Sequence, residues 1–596
     1  MAREMRLVRM KSFMIFLVIF VIMVGNGESS LDNHVYGFGD HVPLFANKIG
    51  PLNNPSETYQ FFDLPFCSPD TIIPQKESLG EVLNGDRLTN SPYELRFREN
   101  KDMVTLCKKR LTRYDVAQFR DAIKNEFYFQ MYYDDLPLWA FIGKVEEQSW
   151  ISNVTGPRYY LFKHVDFDVL YNENQVIEVR ALSNPSYAVD ITDNVETEVQ
   201  FTYSVLWNAT SKQFRNRMDK YSRSSLLPEH LQVHWFSVIN SVAIVALLTG
   251  FLLTLFLRTL KNDIMRYSGG DEEADMEEVG WKHLHGDVFR YPPRASLLCA
   301  ILGSGTQLLT LVFFIFILAF VGVLYPFAHG ALFSSLVMIY ALTAVVAGHT
   351  AASFHSQLAG AEWTRSVLLT GILFLGPVLV IFSILNTVAI SYRATSALPF
   401  GTMVVIFLIW ALITIPLLIL GGIIGYTFRS EFQAPCATKR VPSEIPQLVW
   451  YRRAPAQMFL GGLLPFSAIF IELHYIYTSL WGHKIYTIHS ILFITFIILI
   501  ILTGILTAGL TYFQLSAEDH TWWWRSVFCG GSASIFMYCY SIYFYNQSSM
   551  SGFLQFSFFF GYNACICYAF FLILGTVGFR ASLLFVRHIY HAVKLE

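Results

Sequence analysis

The chain has 596 residues, 53% of them hydrophobic and only 15% charged, with a net charge of -2. A soluble protein carries about 25% charged residues, and the near-neutral balance excludes a dominant basic footprint for nucleic acid. The deficit is uneven: residues 1–232 hold 55 of the 88 Asp, Glu, Lys and Arg, whereas residues 295–596 hold 19, so the second half requires lipid as its solvent.

The N-terminus is basic through Lys11, apolar from Phe13 to Val24, and small at Gly25 and Gly27. That order predicts a secretory signal peptide over residues 1–27, cleaved near Gly25–Glu28. The competing reading is an uncleaved anchor, for which twelve apolar residues are short.

Residues 28–232 have ordinary charged composition and suffice for one independent core. From Val195 to Trp207 the odd positions are mostly apolar and the even ones mostly polar, which predicts a half-buried strand. Residues 159–165 and 175–180 are further strand candidates, and Arg113 to Phe129 is the one helix candidate. The expected unit is a β-rich, sandwich-like domain. It holds two cysteines, Cys67 and Cys107. In an oxidising compartment they most simply form one disulfide, the alternative being two unpaired thiols. Asn153-Val-Thr155 and Asn208-Ala-Thr210 are glycosylation acceptors by pattern, while Asn546-Gln-Ser548 lies too close to the expected membrane to be modified.

Residues 233–257 carry no charge, and about 20 such residues cross a bilayer. Two more spans fit residues 295–361, which lack Asp, Glu, Lys and Arg, with a split near 325–330. Further spans fit 366–391, 399–427, 456–480, 485–513, 526–545 and 552–579, giving nine. The expected organisation is therefore a signal peptide (1–27), a lumenal β-rich domain (28–232) and a nine-span membrane domain (233–596). The last includes an acidic cytosolic loop (258–294) and a cytosolic tail (580–596). With the N-terminal domain in the lumen, the cytosolic segments hold 16 Lys and Arg and the lumenal connections hold two, Arg393 and Lys484. That asymmetry matches the positive-inside rule.

With so few charges in the membrane half, Glu472 stands out within its span. A carboxylate at that depth is costly and marks a functional hypothesis. Three readings stay open for it: structural pairing with His474 or Tyr475, contact with a polar residue of a client transmembrane helix, or a transport path. His349 and His355 are six residues apart, which does not put them on one helical face, and no metal-ligand set accompanies them. Six acids between Asp271 and Glu278 read as a solvated loop. Trp522-Trp-Trp524 reads as an interfacial aromatic belt. Small residues recur at Gly303, Gly305, Gly421, Gly422, Gly425, Gly461, Gly462, Gly530 and Gly531. They serve either close internal packing or a groove that accepts client helices.

Several blocks in order along the chain resemble a known family. They include Gly39-Asp-His-Val-Pro-Leu-Phe-Ala-Asn-Lys-Ile-Gly-Pro51, Leu79-Gly-Glu-Val-Leu-Asn-Gly-Asp-Arg87 and Gly280-Trp-Lys-His-Leu-His-Gly-Asp-Val-Phe-Arg290. Phe470-Ile-Glu-Leu473 and Glu518-Asp-His-Thr-Trp-Trp-Trp-Arg-Ser526 complete the set. The chain resembles the nonaspanins, the transmembrane 9 superfamily, from about Tyr36 to its end. The resemblance implies a multi-pass protein of Golgi and endosome membranes. It implies a cargo receptor or escort that aids sorting and membrane localisation of other transmembrane proteins. It also implies a terminal signal read by the coatomer coat, matched here by Lys594 and Glu596, and a possible export signal at Phe585, Val586 and Tyr590. Expected partners are membrane lipids, client transmembrane proteins and coatomer. No cofactor and no enzymatic activity are expected. The alternative class is a transporter or channel, with a link to copper handling as one form of it.

Overall fold

In the computed structural model the described residues are 34–146, 156–217, 235–268 and most of 281–592, apart from short stretches at 282, 323, 325–329, 359–361 and 482–488 and within 429–448. The signal peptide, Asn153, the acidic run 271–278, Lys594 and Glu596 lie outside them.

The N-terminal part is a β domain. Its strands are β1 (Leu44–Pro51), β2 (Tyr59–Gln60), β3 (Thr89–Asn90), β4 (Lys101–Leu111), β5 (Phe127–Tyr133) and β6 (Leu136–Phe141). They continue as β7 (Gly143–Glu146), β8 (Arg158–Phe162), β9 (His164–Asn172), β10 (Gln175–Ser183), β11 (Ala188–Asp190) and β12 (Thr197–Ala209). One sheet runs β2-β1-β5-β6 with β3 also on β1, a second runs β10-β9-β12-β4, and a third, small sheet runs β11-β8-β7. β12 lies parallel to β9 and antiparallel to β4. The alternation read from Val195 to Trp207 is this central strand: Val199, Phe201, Tyr203, Val205 and Trp207 point into a core shared with Phe129, Met131 and Leu138 of the first sheet. Two sheets closing on one core is the sandwich-like arrangement expected.

Two helices complete the domain, α1 (Leu79–Leu83) and α2 (Arg113–Lys124). Each starts on a reciprocal capping box, Ser78 with Glu81 and Thr112 with Asp115, which satisfies otherwise orphaned N–H groups. The expected helix over Arg113 to Phe129 is too long. Glu126 takes a φ of +53°, which ends the helix, and Phe127 enters β5. The β-branched-poor, aromatic run Phe127-Tyr-Phe-Gln-Met-Tyr-Tyr133 buries six of its seven residues, so sheet pairing outweighs the helical periodicity that precedes it.

The second half is helical: α3 (Trp235–Ser268), α4 (Ala295–Val321), α5 (Ala331–Leu358) and α6 (Trp363–Ser391). Then come α7 (Phe400–Thr427), α8 (Ala454–Trp481), α9 (His489–Leu515), α10 (Trp522–Gln547) and α11 (Phe553–Ala592). Among the described residues, eight of these, α4 to α11, are long and apolar enough to cross a membrane. The first expected span, 233–257, falls on α3, whose helix continues to Ser268. The expected splits fall between helices. Two ends differ: α3 and α11 each outrun the apolar run by more than two turns, because helix geometry persists wherever packing supports it. For α11 that support is an apolar inner face, Leu583, Val586, Ile589 and Tyr590.

Candidate functional site

The small residues inside the helical half decide how it packs. A Cβ placed on Gly348 of α5 would sit 2.0 Å from the Leu418 carbonyl oxygen of α7, and one on Gly421 would sit 2.1 Å from the Val345 oxygen. Gly425 approaches the His349 oxygen in the same way. Gly303 meets Ala347, Gly305 meets Leu572 and Thr576, and Gly530 meets Leu574 and Gly578. These glycines therefore bring helix backbones of the same chain together. The groove reading of the small-residue positions gives way to internal packing, because each is filled from within.

Glu472 lies on the inner face of α8 and is 7% exposed. The same face carries Ile469, Leu473, Tyr477 and Trp481, packed on Met537 and Tyr540 of α10 and Phe559 of α11. His474 is two positions on, about 200° around the helix. Its Nδ1 lies 2.8 Å from the Tyr540 hydroxyl, and its ring meets Tyr475 edge-on. A client helix reaching Glu472 has to part these helices first. His355 Nδ1 lies 2.8 Å from Ser366 Oγ, and no group of three His, Cys, Asp or Glu that could hold a metal occurs among the described residues.

The β domain seats directly on one end of the helical bundle, a contact not anticipated from sequence. Gly80 in α1 touches Gly330 at the start of α5: a Cβ on either would come within about 2.1 Å of the other's backbone. Gly330 also has a φ of +69°, where any side chain is strained. The Thr58 hydroxyl lies 2.6 Å from that of Thr395, and the Thr395 N–H donates to the Thr58 carbonyl at 2.8 Å. Arg87 donates to the Ala397 carbonyl at 2.8 Å. The Ser56 N–H donates to Gln555 of α11 at 2.9 Å, and the Ser551 N–H donates to Asn54. The block Leu79–Arg87 thus supplies this seat. Behind it Asp86 accepts from Asn47, Asn84 and Lys48. Burial pushes its carboxyl up, but the Lys48 ammonium and these donors more than offset that, and the net shift is downward.

A second polar site fastens the two ends of the β domain. Asp134 and Asp135 form the turn between β5 and β6, both with φ above +45°, the left-handed pair that a two-residue hairpin requires. Asp134 accepts from Tyr36 at 2.6 Å and Arg217 at 2.8 Å, and its Oδ1 lies 2.7 Å from His34 Nδ1. The hydrogen bond to Asp134 holds the His34 imidazole above its ordinary value, against burial and the Arg217 charge.

At the opposite end of the bundle, loop 281–293 packs on α10 and α11. The Tyr590 hydroxyl donates to the Trp281 carbonyl, and Trp522 donates through its indole to the Val288 carbonyl. Asp287 accepts from Ser443 and Arg290. Trp522 and Trp523 are buried and stack on each other and on Phe579. They form core here, so the aromatic-belt expectation fails for these two; the indole of Trp524 donates to the Pro293 carbonyl. The expected export signal at Phe585, Val586 and Tyr590 falls on the last turns of α11. Val586 and Tyr590 are 0% and 1% exposed, and Phe585 packs on Phe256 and Tyr512. As folded, this stretch is the inner face of a helix and offers no extended peptide to a coat.

Cys67 and Cys107 are joined as a disulfide, with Cα atoms 6.0 Å apart. Asn208 is exposed on β12 and donates to Asp168.

Comparison with known proteins completes the description. Residues 58–553 match the model of the family described as Endomembrane protein 70. Transmembrane 9 superfamily member 4 of Arabidopsis thaliana is 58% identical over 595 residues, covering 99% of this chain and 100% of that protein. Member 3 of the same organism is 57% identical over 592 residues, 99% of this chain and 100% of that one. Member 1 of Mus musculus is 39% identical over 594 residues, 97% of this chain and 98% of that one. The chain belongs to the transmembrane 9 superfamily. No solved structure matches it. As a transmembrane 9 protein it is a polytopic helical membrane protein, and its apolar helices contact lipid. The matched region runs from Thr58 to the start of α11, so the contacts of Thr58, Gly80 and Arg87 with Thr395, Gly330 and Ala397 fall inside it.

Proposed function

We propose that this transmembrane 9 protein is a sorting receptor or escort of Golgi and endosome membranes, with the β domain in the lumen and the C-terminus in the cytosol. The observation that supports this reading most is where the least-packed helices sit. The most apolar stretches of α6 and α7 are each 11% buried, against 39–56% in the other six apolar helices. Both flank loop 392–399, the loop that Thr58 and Arg87 of the β domain grip. A lumenal domain that meets a client's ectodomain and an apolar face beside its transmembrane segment are thereby joined at one loop. Helix association in lipid runs on such surface packing. Enclosed within the bundle, Glu472 serves the packing of α8 in this reading.

A photoreactive residue at Val380 or Leu412, 61% and 69% exposed, is expected to crosslink to transmembrane proteins in cells. The same probe at Ile501 on α9, 53% exposed, is the control. Equal labelling from all three positions, or solute movement by the purified protein in liposomes without any client crosslink, would sink the escort reading in favour of a transporter or a lipid-only face.

Retention is assigned to the cytosolic end, where Lys594 offers an ammonium and Glu596 a carboxylate beside the chain terminus. Such signals are addresses read by a receptor. Replacing both by Ala should move the protein to post-Golgi membranes, checked by imaging; unchanged distribution refutes the assignment.

A further inference from the structure

The last three turns of α11 carry a surface that neither the packing nor the sorting role uses. Their inner face is apolar and locked: Val586 and Ile589 are fully buried, and Tyr590 donates to Trp281. That fixes the rotation of the helix and so fixes what points outward. The outward positions are Arg580, Leu584, His588 and His591, all exposed, with Arg587 half-buried beside them. Arg580 and Arg587 are seven residues apart, which returns them to one side of the helix.

Neither arginine has a carboxylate partner among the described residues. The Arg587 guanidinium lies 4.6 Å from the Phe432 ring centre. Stacking holds the plane of the group, and the buried Nε is left without an acceptor. Arg580 follows Phe579, which stacks on Trp522 at the first turn of α10. It therefore sits level with the first turn of α10, where that apolar helix begins, the depth at which a span's end meets the headgroups. Arg587 lies about 10 Å further from the membrane, at about 1.5 Å per residue. A headgroup with only its phosphodiester reaches the first and stops short of the second.

We propose that this stripe binds an anionic lipid whose headgroup bears a phosphomonoester, with Arg580 on the diester phosphate and Arg587 on the outer phosphate. Guanidinium forks match phosphate oxygens bidentately, and basic sites at the cytoplasmic rim of membrane helices suit such headgroups. The proposal rests on the orientation proposed above, with the C-terminus in the cytosol, and is independent of the escort role.

The test uses the full-length protein in detergent, titrated with phosphatidylinositol 4-phosphate, phosphatidylinositol, phosphatidylserine and soluble inositol trisphosphate, with binding read by native mass spectrometry and by thermal stabilisation. The 4-phosphate lipid is expected to bind at least about tenfold tighter than phosphatidylinositol, the value of one charge-assisted contact. Arg587→Gln should erase that preference while leaving phosphatidylinositol binding in place, and Arg580→Gln should weaken both lipids. Leu584→Glu, at a position 68% exposed, adds a negative charge to the stripe with little risk to folding and should also weaken both. Equal affinity for the two inositol lipids overturns the proposal. So does equal or tighter binding of the soluble trisphosphate, which would make this a site for free polyphosphate. Binding that appears only after the acids between Asp271 and Glu278 are neutralised overturns it too, since the chain's own loop would then be the occupant.

Discussion

Gly348→Leu is expected to pull α5 and α7 apart and to prevent a stable bundle. The Cβ alone would meet the Leu418 carbonyl oxygen at 2.0 Å and the Gly422 nitrogen at 2.9 Å. Both are backbone atoms inside helices, so neither can swing aside as a side-chain end would. Overpacking a core usually costs about 1–3 kcal/mol, and a leucine here should cost about 3 kcal/mol or more. Lipid offers no hydrophobic drive to hold the helices once their backbones separate. The matched control lies on the partner helix α7: a Cβ on Gly401 meets nothing within 4 Å, so Gly401→Leu should be close to neutral. Thermal unfolding of both variants in detergent checks the contrast. Equal stability would mean that the crossing is not held by backbone contact.

The second large effect is expected at Asp134. Its side chain is 1% exposed and pairs with Arg217, itself 8% exposed. Asp134→Asn keeps the left-handed turn, which asparagine tolerates, and removes only the charge. A buried guanidinium without its partner should cost about 3 kcal/mol. The variant should also change the response to pH. The imidazole of His34 is raised above its ordinary value of 6.5, chiefly by its hydrogen bond to Asp134. Stability from a raised histidine is fully present below the unfolded value and is lost as pH climbs through the folded value. The N-terminal segment should therefore be held most tightly below about pH 6.5 and loosen above it, and Asp134→Asn should remove that dependence. Hydrogen exchange at residues 34–40 between pH 5 and 8 measures it; protection that rises with pH contradicts the assignment.

Hydropathy made the spans legible because lipid selects long uncharged runs, and the helix ends at Val321, Trp481 and Gln547 fall where the runs break. What it could not show is where helices end, since α11 is held to Ala592 by Trp281 and its neighbours, contacts of large sequence separation. The long alternation of β12 was readable for the same reason as the spans: it is a local pattern. The Asp134 site was not, because it gathers His34, Tyr36 and Arg217 from the two ends of the domain. The glycines were visible as residues, yet only their neighbours separate packing from a client groove. Glu472 was singled out correctly as rare, but a carboxylate's cost in lipid says nothing about which way its helix faces.

One contact bears on how the protein is made. Ser56 and Gln555, hydrogen-bonded at 2.9 Å, are 499 residues apart. During synthesis at about 5–20 residues per second, the first domain to emerge waits on the order of a minute before its last supporting helix exists. Until then the Ser56 N–H and the Asn54 side chain lack their partners at Gln555 and Ser551, while Thr58 and Arg87 already have theirs in loop 392–399. A chain truncated before Ser551 would keep the seat's contacts to loop 392–399 and lack those of Ser56 and Asn54, so the last grip on the β domain closes only when α11 is in place.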